Sequence, residues 1–117
     1  MTTAILHRDG TGELHLPGQT LAIQHTRAKP TLILLSLRRD GDYVGTGDLS
    51  NAGAPFRPAG TTWAGVLTIG SASAVAGGRW DATGLHLALS PWRVPLHRRA
   101  ECPDWVLALC GPEPAAT

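Results

Sequence analysis

The sequence predicts an all-β protein with a single domain, a β-sandwich or small barrel of about eight short antiparallel strands. Three observations predict this fold. Short apolar runs with a period of two recur along the chain, and this spacing places alternate side chains on opposite faces of a strand. Glycine, proline and aspartate separate the runs about every eight to twelve residues, as in all-β folds. No apolar stripe of helical period continues for three turns without a glycine or proline that interrupts it.

Five strands are predicted in the first half of the chain, at residues 4–7, 13–16, 21–24, 31–39 and 43–49. The fourth carries leucine or isoleucine on both faces, so we expect it to be a central strand covered on both sides. Asp40-Gly41-Asp42 follows this strand and predicts a hairpin, because Asp-Gly is a preferred turn between antiparallel strands.

The second half contains one long loop, further strands and a proline-rich segment. Residues 50–62 have two prolines, two glycines and no periodicity, and loops of this length are often functional. Strands are predicted at residues 63–69, 72–76, 85–90 and 105–110. Pro91 and Pro95 predict an irregular or edge segment, and residues 95–104 are long enough for one helical turn.

Length and composition indicate one domain and a surface poor in charge. We assign residues 1–111 to a single β domain and expect 112–117 to be a disordered C-terminal tail. Charged residues make up 16% of the chain and the formal net charge is +1, whereas an average protein has about 25% charged residues. Copies of a protein with so few surface charges repel one another weakly, and neighbouring subunits in an assembly can cover such a surface. This balance excludes a dedicated nucleic-acid binder.

Nine of the ten basic residues are arginine, with Lys29 as the exception. Protein interfaces enrich arginine and deplete lysine, because the guanidinium is weakly hydrated and binds as a planar fork. A GC-rich genome produces the same bias, and both explanations stay open.

The N-terminal residues indicate the site of synthesis. Residues 1–20 contain Arg8, Asp9 and Glu13 and no apolar stretch of the kind found in signal peptides. The longest apolar run is far too short for a membrane span. We therefore expect synthesis in the cytoplasm without a signal peptide, no membrane partner, and a final location in a virion or other large assembly.

No motif is typical of a catalytic, cofactor-binding or metal-binding site. Gly45-Thr46-Gly47 lacks the third glycine and the strand-to-helix context of a phosphate-binding loop. His15 and His86 follow similar Thr-Gly segments. We favour chance similarity, with a duplicated hairpin or two metal ligands meeting across a sheet as alternatives. We expect no enzyme activity, no cofactor and no metal.

The cysteines and tryptophans are interpreted mainly as packing residues. Cys102 and Cys110 lack a zinc spacing, and we expect two reduced, buried thiols, with a disulfide as the alternative. Trp63 and Trp105 are assigned to the core. Trp92 lies between two prolines and is the best candidate for an exposed contact.

These observations favour a non-enzymatic structural or assembly subunit of a larger complex, with a phage virion component (capsid decoration, collar, tail or fibre protein) as the leading expectation. Small all-β proteins without active sites are often such subunits. Copies of the chain and other subunits are the expected partners, and the predicted interface residues are Phe56, Arg57, Trp92 and Arg93. The alternatives are a carbohydrate- or ligand-binding β-module that uses exposed tryptophans, and a small metal-dependent enzyme that uses His15 and His86.

Overall fold

Eight antiparallel strands form one closed barrel in the computed structural model, which describes residues 2–51 and 62–110 of the 117-residue chain. Each strand pairs with the next along the chain, and β8 pairs with β1. The strands are β1 (Thr2–Leu6), β2 (Thr11–Leu16), β3 (Gln19–Lys29), β4 (Leu32–Arg39), β5 (Asp42–Ser50), β6 (Trp63–Ile69), β7 (Ala72–Asp81) and β8 (Gly84–Leu89). The prediction of an all-β fold with a small barrel is confirmed.

The interior of the barrel is filled by alternate side chains of the strands. Most of these side chains are leucine, isoleucine and alanine, with Trp63 among the largest. An eight-stranded barrel has an interior just wide enough for such side chains. In β4, Ile33 and Leu35 are buried whereas Leu34 is 47% exposed. The expectation that this strand is covered on both faces is therefore wrong, because a closed barrel buries only its inner face.

The alternating strand directions place the turns at two ends. The β1–β2, β3–β4 and β7–β8 turns lie at one end, which we call the upper mouth. The chain between β5 and β6 also leaves and returns at the upper mouth. The other turns lie at the lower end, including the predicted hairpin at Asp40 and Gly41, which is confirmed. Asp40 and Gly41 have φ values of 54° and 87°, and a two-residue hairpin turn requires such positive values at both positions.

The chain after β8 closes the lower end. Ser73 in β7 and Arg93 exchange two backbone hydrogen bonds of 2.9 Å. Side chains alternate in such an extended pairing, so the exposed Arg93 is preceded by a Trp92 side chain that enters the barrel and is only 2% exposed. A 3₁₀ helix at Leu96–Glu101 then supplies the expected helical turn.

The prediction of a strand at residues 105–110 is wrong, because Asp104–Leu109 forms a short helix, α1. Val106 in α1 is buried, and Cys110, four residues later at the C-cap, is half-buried. This spacing is a helical signal that the interpretation by period two overlooked. Pro103 precedes α1 and Asp104 lies in its first turn, where a negative charge interacts favourably with the helix dipole.

Candidate functional site

The structure does not bring the four predicted interface residues together. Phe56 and Arg57 lie outside the described residues. Trp92 is buried at the lower end, so its expected role as an exposed anchor is wrong. The two flanking prolines lead the chain across the barrel end, where the ring fills the opening. Arg93 is exposed, as an interface residue would be.

The tryptophans contribute mainly to the two ends of the barrel. Trp63 is fully buried near the upper mouth, as predicted for a core residue. Trp80 and Trp105 are half-buried. The two rings that remain partly exposed, those of Trp80 and Trp105, lie at opposite ends of the barrel, so the tryptophans do not form a shared stacking platform.

A recess of about 390 Å³ opens at the upper mouth. Its lining residues come from the β1–β2 turn and from β3, β4 and β7, and they are Arg8, Asp9, Gly10, His25, Arg27, Ile33 and Trp80. The size falls within the range of about 300–1,000 Å³ that is typical of small-molecule sites.

Two arginines lie over tryptophan rings at this mouth. The guanidinium carbon of Arg8 is 4.8 Å from the centre of the Trp80 ring, and that of Arg27 is 5.3 Å from the centre of Trp63. Both distances are those of a cation–π contact. Arg8 also donates from Nη2 to the carbonyl oxygen of Asp81 at 2.9 Å. These contacts hold two positive charges over the barrel opening.

His25 is oriented by a hydrogen bond to the backbone. Its Nε2 lies 2.6 Å from the carbonyl oxygen of His7. A carbonyl oxygen only accepts, so Nε2 carries the hydrogen and Nδ1 of the neutral ring is the acceptor. This bond fixes the ring beside the recess.

The carboxylates of Asp9 and Asp81 hold two similar turns at the upper mouth. Oδ1 of Asp9 accepts hydrogen bonds from the hydroxyl and the backbone N–H of Thr11, at 2.6 and 3.0 Å. Oδ1 of Asp81 accepts the same pair from Thr83, at 2.6 and 2.7 Å. These bonds lower the pKa of each carboxyl below its ordinary value of 3.8, because they stabilise the charged form.

Some buried donors near the barrel ends have no acceptor. The indole N–H groups of Trp63, Trp80 and Trp92 lack a hydrogen-bond partner within the described part of the chain. Leaving a buried donor unpaired costs about 1–3 kcal/mol.

Sequence reasoning missed the upper mouth as a site. The inward positions of β3 run from Leu21 and Ile23 to His25 and Arg27. Polar residues that continue an apolar face at the end of a strand are a signal of a barrel opening, and the alternation of this strand contains that signal. The opposing Trp80 comes from a strand far along the chain, which no local pattern reveals.

A second surface of interest lies on the outside of the barrel. Leu34, Asp48, Val66 and Val75 follow one another across β4 to β7 in direct cross-strand register; we call them the wall patch. The three apolar members are 47%, 41% and 59% exposed. Three of the five large hydrophobic side chains that are exposed within the described residues therefore lie in one row.

His15 and His86 lie on the outside of the barrel, on strands that flank β1. His15 is opposite Thr3 and His86 is opposite Ile5, so a full strand separates the two histidines. Residues 2–51 and 62–110 contain no group of three side chains that could hold a metal ion. The turns before the two histidines share their hydrogen bonds, but the histidines are offset by one position relative to the shared Thr-Gly.

The two cysteines are free thiols in the structure. Cys102 is buried, as expected, whereas Cys110 is only half-buried. Burial nevertheless raises the pKa of the Cys110 thiol, because a thiolate is poorly solvated there.

No family model matches the chain, and no match is found among curated proteins or solved structures. Within the described ranges, no helix is long and apolar enough to cross a bilayer.

Proposed function

We propose that this protein is a non-catalytic assembly subunit that binds a second copy of itself through the wall patch. The observation that carries the proposal is the cross-strand row of the wall patch, in which the exposed Val66 and Val75 are adjacent and Asp48 separates them from the exposed Leu34. Exposed apolar side chains grouped on one face of a small protein, with polar residues beside them, commonly mark an interaction site.

The surroundings of the wall patch support the same role. The outward positions of β1, β6, β7 and β8 carry small, apolar or hydroxyl side chains, apart from His86 in β8 and two charged residues in β7. Formal charges on these described strands are confined to Arg79 and Asp81, at the upper end of β7. Charge depletion at the centre with a polar rim is the usual composition of an interface.

The closed barrel determines how such copies associate. Every strand has two neighbours, so no edge offers unpaired backbone groups to a partner strand. Addition of a partner's strand is therefore unfavourable, and contact must come from side chains packed face to face.

Two charges indicate a second copy rather than a different partner. Asp48 lies on one flank of the Val66–Val75 pair, and Arg93, paired with Ser73, lies on the other. Both side chains are exposed, and neither forms an ion pair within the described residues. A two-fold axis that runs parallel to the strands between the two valines brings Asp48 of one copy to the flank that carries Arg93 of the other, two residues from the row. An opposite charge on each flank is the self-complementarity of a symmetric dimer interface.

Association of the purified protein tests the proposal. Light scattering over a range of micromolar concentrations is expected to show a concentration-dependent oligomer. Val75→Asp is expected to weaken association about tenfold or more, because it buries an unpaired charge. Ala22→Asp is the matched control, since it places the same charge on an exposed outward position of β3, outside the wall patch and four strands from β7.

A charge exchange tests the two-fold arrangement. Asp48→Arg and Arg93→Asp are each expected to weaken association, and the double variant is expected to restore it. A monomer at every concentration would overturn self-association. A double variant that associates no more strongly than either single variant would overturn the pairing of these two residues.

The wider setting of the assembly rests on the sequence alone. A phage virion component stays a prediction, and so does a contact through Phe56 and Arg57. Capsid or tail genes beside this gene would support the virion, whereas sugar-metabolism genes would favour a carbohydrate-binding module.

A further inference from the structure

We infer that the upper mouth binds a small organic anion, a carboxylate or phosphate group attached to a planar or apolar body. This site is separate from the wall patch and does not depend on self-association. The residues that carry the inference are Arg8, Arg27 and Trp80, which line one recess.

The position of the recess limits the ligand to the barrel opening. Below it, the barrel is filled with leucine, isoleucine and alanine side chains, and the lower end is closed by Trp92 and Val106. A ligand of a few tens of atoms in the interior would have to displace this core. The recess of about 390 Å³ instead accommodates a molecule of the size of a substituted ring.

The stacked arginines retain donors for an anion. A guanidinium that lies over an aromatic face uses its flat face in the contact and keeps its N–H edges available. Arg8 directs one of these donors to the carbonyl oxygen of Asp81. The side chain of Arg27 makes no hydrogen bond to the described residues, and its guanidinium contacts the ring of Trp63. Fork-shaped donors of this kind match the planar oxygens of a carboxylate or phosphate.

The acidic groups near the mouth do not neutralise these arginines. Asp9 is the one carboxylate that lines the recess, and its Oδ1 is held by Thr11. Glu13 lies 2.7 Å from Nε2 of His7. No ion pair joins Arg8 or Arg27 to an acid within the described ranges. The recess therefore has two positive charges for one negative charge, and this excess favours an anion.

The rest of the recess suits the body of the ligand. The half-buried Trp80 lines the recess together with the buried Ile33, and the part of the indole that Arg8 leaves open can contact an apolar ring. The combination of a charged fork and an apolar wall is typical of sites in which a few polar groups orient a largely apolar ligand.

A third arginine–tryptophan pair at the lower end serves as an internal comparison. Arg39 lies 4.5 Å above the ring of Trp105, and its Nε donates to Oε1 of Gln19 at 2.9 Å. This pair repeats the stacking without lining the upper recess. It provides a matched control for the loss of an arginine from a tryptophan face.

Titration with benzoate and phenyl phosphate tests the inference, with the neutral benzamide as the matched probe. The indole N–H signals of the protein are followed by NMR. Either anion is expected to shift the signals of Trp63 and Trp80 and to leave those of Trp92 and Trp105 in place. The anion that binds more tightly identifies the preferred group. Equal binding of benzamide would overturn the role of charge, and no shift with either anion would overturn the site.

Variants connect the binding to the arginines. Arg27→Gln is expected to weaken binding of the preferred anion about tenfold or more, as for a lost charge-assisted hydrogen bond. Arg27→Lys, which keeps the charge but not the fork, is expected to show an intermediate loss. Arg39→Gln is expected to bind as the wild type does. Amide spectra show whether each variant is folded. If Arg27→Gln does not fold, Arg8→Gln takes its place in the binding experiment. Equal losses for Arg39→Gln and the mouth variants would overturn the inference.

Discussion

Gly78 in β7 lies so close to the carbonyl oxygen of His86 in β8 that a β-carbon at this position would overlap it. Gly65 in β6 stands in the same relation to the carbonyl oxygen of Asp48 in β5. Only glycine permits two backbones to approach so closely. These positions let neighbouring strands bend together, which an eight-stranded barrel requires in order to close.

Alanine at Gly78 is therefore expected to destabilise the protein by about 2–4 kcal/mol, because the added carbon must displace backbone. The adjacent Gly77 is the matched control. Its β-carbon would have its nearest contact at 3.6 Å, with the carbonyl oxygen of Trp63, and Gly77→Ala is expected to change stability by less than about 1 kcal/mol. Urea denaturation measures both values. Equal losses would contradict the role of the close approach.

Trp92 is expected to act as the closure of the lower end rather than as a contact for a partner. Trp92→Ala should lower the free energy of unfolding by about 3–5 kcal/mol, since a large buried ring leaves a cavity. Leu96→Ala is the control, because Leu96 is 69% exposed on the adjacent 3₁₀ helix. Where the variant stays folded, its association measured by light scattering should equal that of the wild type. Weaker association with unchanged stability would restore the interface role.

Local patterns predicted most of the strands and turns because each depends on neighbouring residues. The alternation in Leu85, Leu87 and Leu89 and the turn at Asp40-Gly41 are of this kind. Trp92 was assigned to the surface because its prolines indicate an irregular segment, but they do not show where that segment leads. The recess at the upper mouth is lined by Arg27 from β3 and Trp80 from β7, and no local pattern in the sequence shows that these two distant strands face one opening.

The Asp9 and Asp81 turns are expected to make stability sensitive to acid. Hydrogen bonds from Thr11 and Thr83 lower the pKa of both carboxyls below 3.8 in the folded protein. Their contribution is complete above the unfolded pKa of about 3.8 and is lost as the pH falls through the lower folded value. Thermal denaturation between neutral pH and strong acid should therefore show a loss below about pH 4. Thr83→Val, which removes the hydroxyl donor to Asp81, should show a smaller loss over the same range. An identical acid dependence in this variant would contradict the assignment.

Cys102 and Cys110 are expected to react with a thiol reagent at different rates in the native protein. Cys102 is 8% exposed and packs in the core, so it should react only when the lower end opens. Cys110 is half-buried, and desolvation raises its pKa above the ordinary 9.0. Because the thiolate is the reacting form, Cys110 should react more slowly than a free thiol at pH 8, and its rate should still increase above pH 9. Labelling of Cys102→Ala and Cys110→Ala, followed by mass spectrometry, assigns each rate. A Cys102 that reacts as fast as Cys110 would contradict its burial in the core, because both thiols would then be accessible without opening of the barrel end.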